Sequence, residues 1–385
     1  MRTIERNIEK FIHNDLHKKM VFVGGPRQCG KTTLAKNIIN NFKYRKNRSG
    51  LYLNWDSDDD RRTIRDKNWD DSDQLLVFDE LHKYLRWKNW LKGYYDKYKD
   101  LHNILVTGSA RLDIYRRGGD SMLGRYHYWR LHPFDLTEKP RKMSQKEAYK
   151  RLITVGGFPD PFLDGDEREA RRWRRERLDR VIKDDIRDLE NIKDIQMLKI
   201  FLDELRKRVG SSVVLSNIAR DLEISPTTAK KWLESLEKMY LCFSIRPRTK
   251  NVPRSILKPP KVYFFDNADL LVDSEGAAFE NLVATFLLKR VNFIEDYEGY
   301  NCSLNYIRDK EGREVDFAFA VDDVLEELIE VKLSDEKISS SLLYFVNKLQ
   351  PKRAVQIVAN LKKSYTKDNI EVLSIYDYCN SRKIG

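Results

Sequence analysis

Apolar residues along this 385-residue chain fall into two rhythms. In the first third they form short, largely apolar runs: Met20 to Val23, Leu51 to Trp55, Leu75 to Phe78, Asn103 to Thr107 and Tyr126 to Leu131. Runs this short and continuous suit strands buried on both faces. Their alternation with helical stretches such as Thr33 to Ile39 predicts an α/β unit, a parallel sheet with helices on both faces. Further along, the spacing becomes helical. Leu178, Val181, Ile182, Ile186 and Leu189 make one apolar stripe. It overlaps the densest charge run, Arg171 to Arg180, whose six arginines face either phosphates or neighbouring acids.

Leu215 to Leu222 reads as a helix, Glu223 to Ser225 as a turn, and Thr227 to Tyr240 as a second helix with Ala229, Trp232, Leu233, Leu236 and Met239 inward. Ser225 is placed as N-cap and Pro226 as first helical residue. A basic stretch from Arg246 to Arg254 and a strand-like Val262 to Phe265 complete a winged helix-turn-helix pattern. Thr227, Thr228, Lys230 and Lys231 on the second helix and Arg246, Arg248 and Lys250 on the wing are the candidate DNA contacts. The same module also serves ATPases as a lid or protein-contact surface. Last comes an amphipathic helix, Ala277 to Arg290, then strands Glu314 to Val321 and Leu325 to Leu333 around a turn at Asp322 and Asp323. That register sets Asp316 opposite Ile329 or Glu330, with Glu330 and Lys332 on one face. Glu280, Asp316 and Glu330 are thus candidate ligands for a hard divalent cation, with Lys332 beside them. An ordinary charged hairpin meets the same spacing. The expected division is 1–140 sheet unit, 141–195 helical lid, 196–270 winged helix and 271–385 C-terminal α/β unit.

Chemistry enters with Gly25-Pro26-Arg27-Gln28-Cys29-Gly30-Lys31-Thr32, followed by Thr33. It is a Gly-x-x-x-x-Gly-Lys-Thr phosphate loop between a strand and a helix. Its glycines let successive amides curl round an anion, and the helix N-terminus adds positive charge. Lys31 reaches toward the β- and γ-phosphates of a nucleotide and Thr32 toward Mg²⁺. The run Gln74 to Phe78 ends in Asp79 and Glu80, at the sheet edge where parallel sheets bind ligands. Asp79 is the expected second Mg²⁺ ligand and Glu80 the base for the attacking water.

Composition narrows the partners. Net charge is +12, which favours a polyanion, and 34% of residues are charged. No stretch nears the roughly 18 apolar residues of a membrane span, and Met1 to Arg6 carries no secretory run, so a cytoplasmic location is expected. Cys29, Cys242, Cys302 and Cys379 fit no zinc spacing and read as reduced thiols.

The phosphate loop, Phe78-Asp79-Glu80, Thr107-Gly108-Ser109-Ala110, Ser121-Met122-Leu123-Gly124-Arg125, Leu131-His132-Pro133-Phe134 and Gly156-Gly157-Phe158-Pro159 occur in a fixed order. In this the chain resembles prokaryotic AAA-type ATPases, close to the STAND-like group, with a C-terminal domain of unknown function. The resemblance implies an extra strand between the phosphate-loop strand and the Asp79 strand. It implies a polar sensor at Thr107 or Ser109, Ser109 being favoured because Ala110 replaces a frequent second serine. Pro159 is implied to pack on adenine. Arg125 is implied as an arginine finger, with Arg111 competing, and hence a homo-oligomer. The C-terminal domain is similar to restriction-endonuclease-like folds, a nuclease-like site at Glu280, Asp316, Glu330 and Lys332. The implied function is an Mg²⁺-dependent ATPase, binding ATP or ADP, coupled to DNA binding or processing. A nucleotide-gated switch with low turnover and an ATP-regulated, metal-dependent nuclease are the alternatives.

Overall fold

A computed structural model describes residues 4–109, 112, 122–186, 194–248, 258–272, 274–334 and 337–382, with backbone alone for 184–186. Lys250 and Arg111 lie outside the described residues. The chain divides into two compact units, one through His132 and one from Pro133 onward.

The first unit is built on five parallel strands: β1 Met20–Gly24, β2 Ser49–Asn54, β3 Asp73–Asp79, β4 Asn103–Thr107 and β5 Tyr126–Arg130. Their order is β2-β3-β4-β1-β5. β4 therefore stands between the phosphate-loop strand and the strand ending in Asp79, as the resemblance implied. β1 is buried at every position and β3 at all but its first, which is why their sequences run apolar without alternation. Helices α1 Glu9–Leu16, α2 Lys31–Asn41, α3 Asp58–Asp66 and α4 Trp87–Tyr98 belong to this unit. One core cluster gathers Phe22, Leu76, Phe78 and Val106 from the sheet with Ile64 of α3 and Trp87, Leu91 and Tyr94 of α4.

The second unit begins with helices α5 Gln145–Thr154, α6 Pro159–Asp164, α7 Glu167–Arg180 and α8 Ile195–Arg206. The helix-turn-helix follows as α9 Leu215–Asp221 and α10 Pro226–Lys238. Ser225 caps α10, its Oγ accepting from the Thr228 amide at 3.0 Å, with Pro226 at the first position. Removing that cap by Ser225→Ala is expected to cost about 1 kcal/mol, read as a lower urea midpoint.

Strands β6 Cys242–Pro247 and β7 Lys261–Phe264 pair antiparallel. β8 Cys302–Arg308, β9 Glu314–Val321, β10 Val324–Lys332, β11 Arg353–Val358, β12 Tyr365–Lys367 and β13 Ile370–Ser374 continue the same sheet, in the order β12-β13-β11-β10-β9-β8-β6-β7. The join is β6 lying parallel to β8, Arg246 against Asn305. Nothing in the local sequence pattern announced this, because it is a pairing across some sixty residues of chain. The β9–β10 turn is at Asp322 and Asp323, both at positive φ (45° and 65°), as a tight hairpin needs. α11 Glu275–Phe293, α12 Ser340–Leu349 and α13 Ile375–Ser381 complete the unit.

Candidate active site

At the C-terminal edge of the first unit's sheet, the register sets Asp79 beside Thr107 and Thr107 beside Val23, so β1, β3 and β4 deliver their ends together. From β1 the chain turns through Gly25 (φ 143°), Gln28 (φ 62°) and Gly30 (φ 95°) into α2. Gly30 is the N-cap and offers no side chain, so the first amides of α2 have no side-chain cap. A Cβ on Gly25 would stand 2.3 Å from the Leu131 carbonyl oxygen. Gly25→Ala is therefore expected to weaken ATP binding about tenfold or more through strain in the loop, measured with a fluorescent ATP analogue.

Lys31 is buried, and its ammonium donates to the Gly25 and Pro26 carbonyls at 3.2 and 2.6 Å, inside the curl of the loop. The Thr32 hydroxyl donates to Asp79 Oδ2 at 2.6 Å. Tyr52 donates to the same oxygen at 2.6 Å, and Thr107 to Oδ1. A hydroxyl and a carboxylate this close, beside a phosphate loop, could hold a nucleotide-bound Mg²⁺. That ion, if bound, would draw charge from the transferring phosphoryl group.

Glu80 follows Asp79 at φ 57°, a left-handed conformation that costs a non-glycine residue and re-aims its carboxylate. Its amide donates to Thr107 O at 2.9 Å. Burial raises the Glu80 pKa, against the opposing charges of Lys31 and Lys83. Lys83 Nζ lies 3.3 Å from Glu80 Oε2 and His82 Nε2 lies 3.7 Å from it. His82 Nε2 also meets Ser109 Oγ at 3.3 Å, so Ser109 is linked to Glu80 through an imidazole. Thr107 instead bonds Asp79; the two sensor candidates thus serve different carboxylates.

Three residues here escaped the sequence reading. Tyr52 and His82 carry no motif signal and reach the site only through sheet order and the turn after Glu80. Arg6, also buried, donates to the Cys29 carbonyl at 3.0 Å and to the His132 carbonyl, bracing the loop from behind. The Cys29 thiol is buried, donates to Leu131 O at 3.6 Å and packs the loop.

Arg125 precedes β5, and its carbonyl accepts from Met20 at the start of β1, the opposite sheet edge from the loop. Its guanidinium pairs with Asp96 at 2.7 and 3.0 Å. It does not serve the loop of its own chain. Pro159 opens α6 in the second unit, where the Gly157 amide donates to Asp266 Oδ1 at 3.3 Å. On α10, Thr227, Lys230 and Lys231 are exposed, but the Thr228 hydroxyl is engaged with Ser225 Oγ at 2.8 Å. Arg246 lies in β6, between β8 and β7, and Arg248 just past its end; both are half-buried, and their guanidinium groups donate to the Lys258 and Asp323 carbonyls.

The C-terminal candidates do converge. Ile329 pairs with Phe317, and the Asp316 carboxylate accepts from the Val331 amide at 2.9 Å. Lys332 meets Glu330 at 2.8 Å, and Glu280 of α11 accepts from the Tyr263 hydroxyl at 2.6 Å. Burial, then the charge of Asp316, holds both Glu280 and Glu330 well above the usual carboxylate range. In the midst of them is an ammonium the sequence reading did not include, Lys261 of β7. It lies 2.7 Å from Glu314, 3.4 Å from Glu280 and 3.5 Å from Asp316.

Three families match parts of the chain. Residues 17–139 match an AAA domain, 146–271 a domain of unknown function (DUF8612) and 275–378 another (DUF4143). The first match and the strand order support a nucleotide-hydrolysing P-loop ATPase. Two curated proteins, Uncharacterized protein Rv2008c of Mycobacterium tuberculosis and Uncharacterized protein Mb2031c of Mycobacterium bovis, are each 23% identical over 256 residues. The aligned part is 65% of this chain and 55% of theirs, so the chain spans about half the length of these relatives. Among solved structures, Bacteroides Pif1 bound to ssDNA is 13% identical over 43% of this chain and 49% of its own, at TM-score 0.24. A structure of Pif1 helicases on forked dsDNA is 13% identical over 42% and 51%, at TM-score 0.24. Likeness at that level carries no argument. No helix among the described residues is long and apolar enough to cross a membrane.

Proposed function

We propose that this protein is an Mg²⁺-dependent ATPase that couples ATP binding and hydrolysis to DNA binding or processing. The observation that carries this reading is the meeting of Thr32 and Asp79 at 2.6 Å beside the buried Lys31, with Glu80 next in the chain. The backbone N–H groups of the loop from Arg27 to Thr33 cradle the phosphates, and Lys31 turns from the loop carbonyls to the β- and γ-phosphates. Thr32 and Asp79 hold the metal. Glu80, kept basic by burial, orients the attacking water and takes its proton. Ser109 senses the γ-phosphate and passes its position to Glu80 through His82.

The remaining roles belong to the same reading. Pro159 packs on adenine. Arg125, remote from its own loop, acts in the site of a neighbouring copy of an oligomer. Thr227, Lys230 and Lys231 of α10 meet DNA phosphates, which the net charge of +12 favours.

The test is ATP turnover with and without single-stranded, duplex and branched DNA. Stimulation by at least one form, falling steeply with salt, is expected. Turnover indifferent to every form, with ADP retained through purification, would overturn the DNA coupling and leave a nucleotide switch.

A further inference from the structure

The acidic cluster of the second unit contains its own cation. Glu280 comes from α11, Glu314 and Asp316 from β9, and Glu330 from β10. Lys261 enters from β7, the strand paired with β6 of the winged helix, and its side chain is 3% exposed. Its ammonium faces three carboxylates at 2.7 to 3.5 Å and lies 5.6 Å from the Tyr306 ring centroid. Burial alone would discharge this lysine; the charges of Glu280, Asp316 and Glu314 outweigh that and raise its affinity for the proton.

A divalent ion at Glu280, Asp316 and Glu330, which the family resemblance implies, does not fit this arrangement. Two of the carboxylates that would bind it, Glu280 and Asp316, already face a monovalent cation that cannot diffuse away, and a second cation beside a buried ammonium is repelled. Among the described residues no group of three or more His, Cys, Asp or Glu side chains is arranged to hold a metal ion. One acceptor is left over: Glu330 is 4% exposed, and its Oε2 is buried with no hydrogen-bond partner. Space beside the cluster is also reserved. Gly210 (φ 72°) donates its amide to Val262 O, next to Lys261, and a Cβ there would stand 3.0 Å from both Glu280 oxygens.

We propose that Lys261 is a tethered replacement for the divalent ion: it fills the acidic pocket with an ammonium, keeps that pocket free of metal, and its loss creates a site for Mg²⁺ or Mn²⁺. The cation is carried on the winged-helix hairpin, so docking of that hairpin and filling of the pocket are one event. This inference does not depend on the nucleotide site.

The experiment uses the full chain without nucleotide and Mn²⁺ as the probe, read by the loss of the free-ion paramagnetic resonance signal. Four proteins are compared: wild type, Asp316→Asn, Lys261→Met and Lys261→Met with Asp316→Asn. Wild type and Asp316→Asn should take up Mn²⁺ equally. Lys261→Met should gain one further site, at least tenfold tighter than any the wild type has there, and the double variant should lose it. An Asp316-dependent site in the wild type overturns the proposal, and so does a folded Lys261→Met that gains none. Should Lys261→Met be poorly folded, thermal unfolding with and without MnCl2 decides. Replacement predicts a melting temperature raised several degrees by Mn²⁺ in that variant and not in the double variant; no difference overturns it. ATP turnover in the wild type is unaffected by either outcome, so failure here leaves the ATPase reading standing.

Discussion

Glu80→Gln should still bind ATP and turn it over about 10²–10⁴-fold more slowly, the range expected when a positioned general base is lost. The amide keeps the size of the carboxylate and its hydrogen-bonding reach but has no basic oxygen to accept the proton of the attacking water. Lys31→Ala should act earlier. It removes the ammonium from inside the loop, so binding itself fails and no turnover remains to measure. Nucleotide affinity and single-turnover hydrolysis, measured on both variants, separate the two effects. Wild-type turnover in both would remove the catalytic assignment of this site. His82→Ala gives an intermediate case: the 3.3 and 3.7 Å links to Ser109 and Glu80 are broken while Glu80 stays, so kcat should fall and the affinity for ATP hold.

The second large effect belongs to the second unit. Glu327 is 1% exposed and meets Arg290 at 2.6 Å and Arg353 at 2.9 Å, with Arg382 also paired and the Tyr378 hydroxyl donating at 3.0 Å. Burial alone would raise its pKa. The charges of Arg290 and Arg382, with hydrogen bonds from Arg353 and Arg290, bring it down to about 2. Glu327→Gln leaves those guanidinium groups without their shared counter-charge in a buried setting and should destabilise the second unit by about 3–5 kcal/mol. The sign of the pH effect follows from the depressed value. The unfolded carboxylate binds its proton near pH 4.5 and the folded one near 2, so Glu327 contributes fully above about 4.5 and its contribution is lost as pH falls toward 2. Glu280 and Glu330 act oppositely, since their folded values are raised: their contribution is present at low pH and lost as pH rises above 4.5. Urea midpoints across pH 3–8 check both. In Glu327→Gln the wild type's decline on the acid side should be flattened, and an unchanged midpoint at neutral pH would show the arginines to be satisfied elsewhere.

Much of this was legible in order along the chain. The phosphate loop, Asp79 and Glu80 are contiguous motifs at strand ends, and a parallel sheet brings strand ends together whatever lies between them. The Ser225 cap and the turn at Asp322 and Asp323 are likewise local, each governed by the backbone conformations a few residues permit. Arg246 and Arg248 read as part of a basic loop, while the pairing with β8 put Arg246 within β6 and bonded the Arg248 amide to Tyr306 O. Arg125 read as a motif position, and only the sheet shows it at the edge away from its own loop.

By itself the sequence determined the chemistry of the loop: which amides curl, which ammonium lies among them, which acids end the strand that faces it across β4. Those follow from residue type at short range, where glycine, proline and apolar runs leave the backbone few choices. What only the tertiary structure decided is which distant groups share a space: Tyr52 on Asp79, His82 between Ser109 and Glu80, Arg6 behind Cys29, Lys261 among three acids. Such meetings depend on strand order and register, which no short stretch of chain encodes, and at contact range they set whether a carboxylate holds a metal, a proton or a lysine.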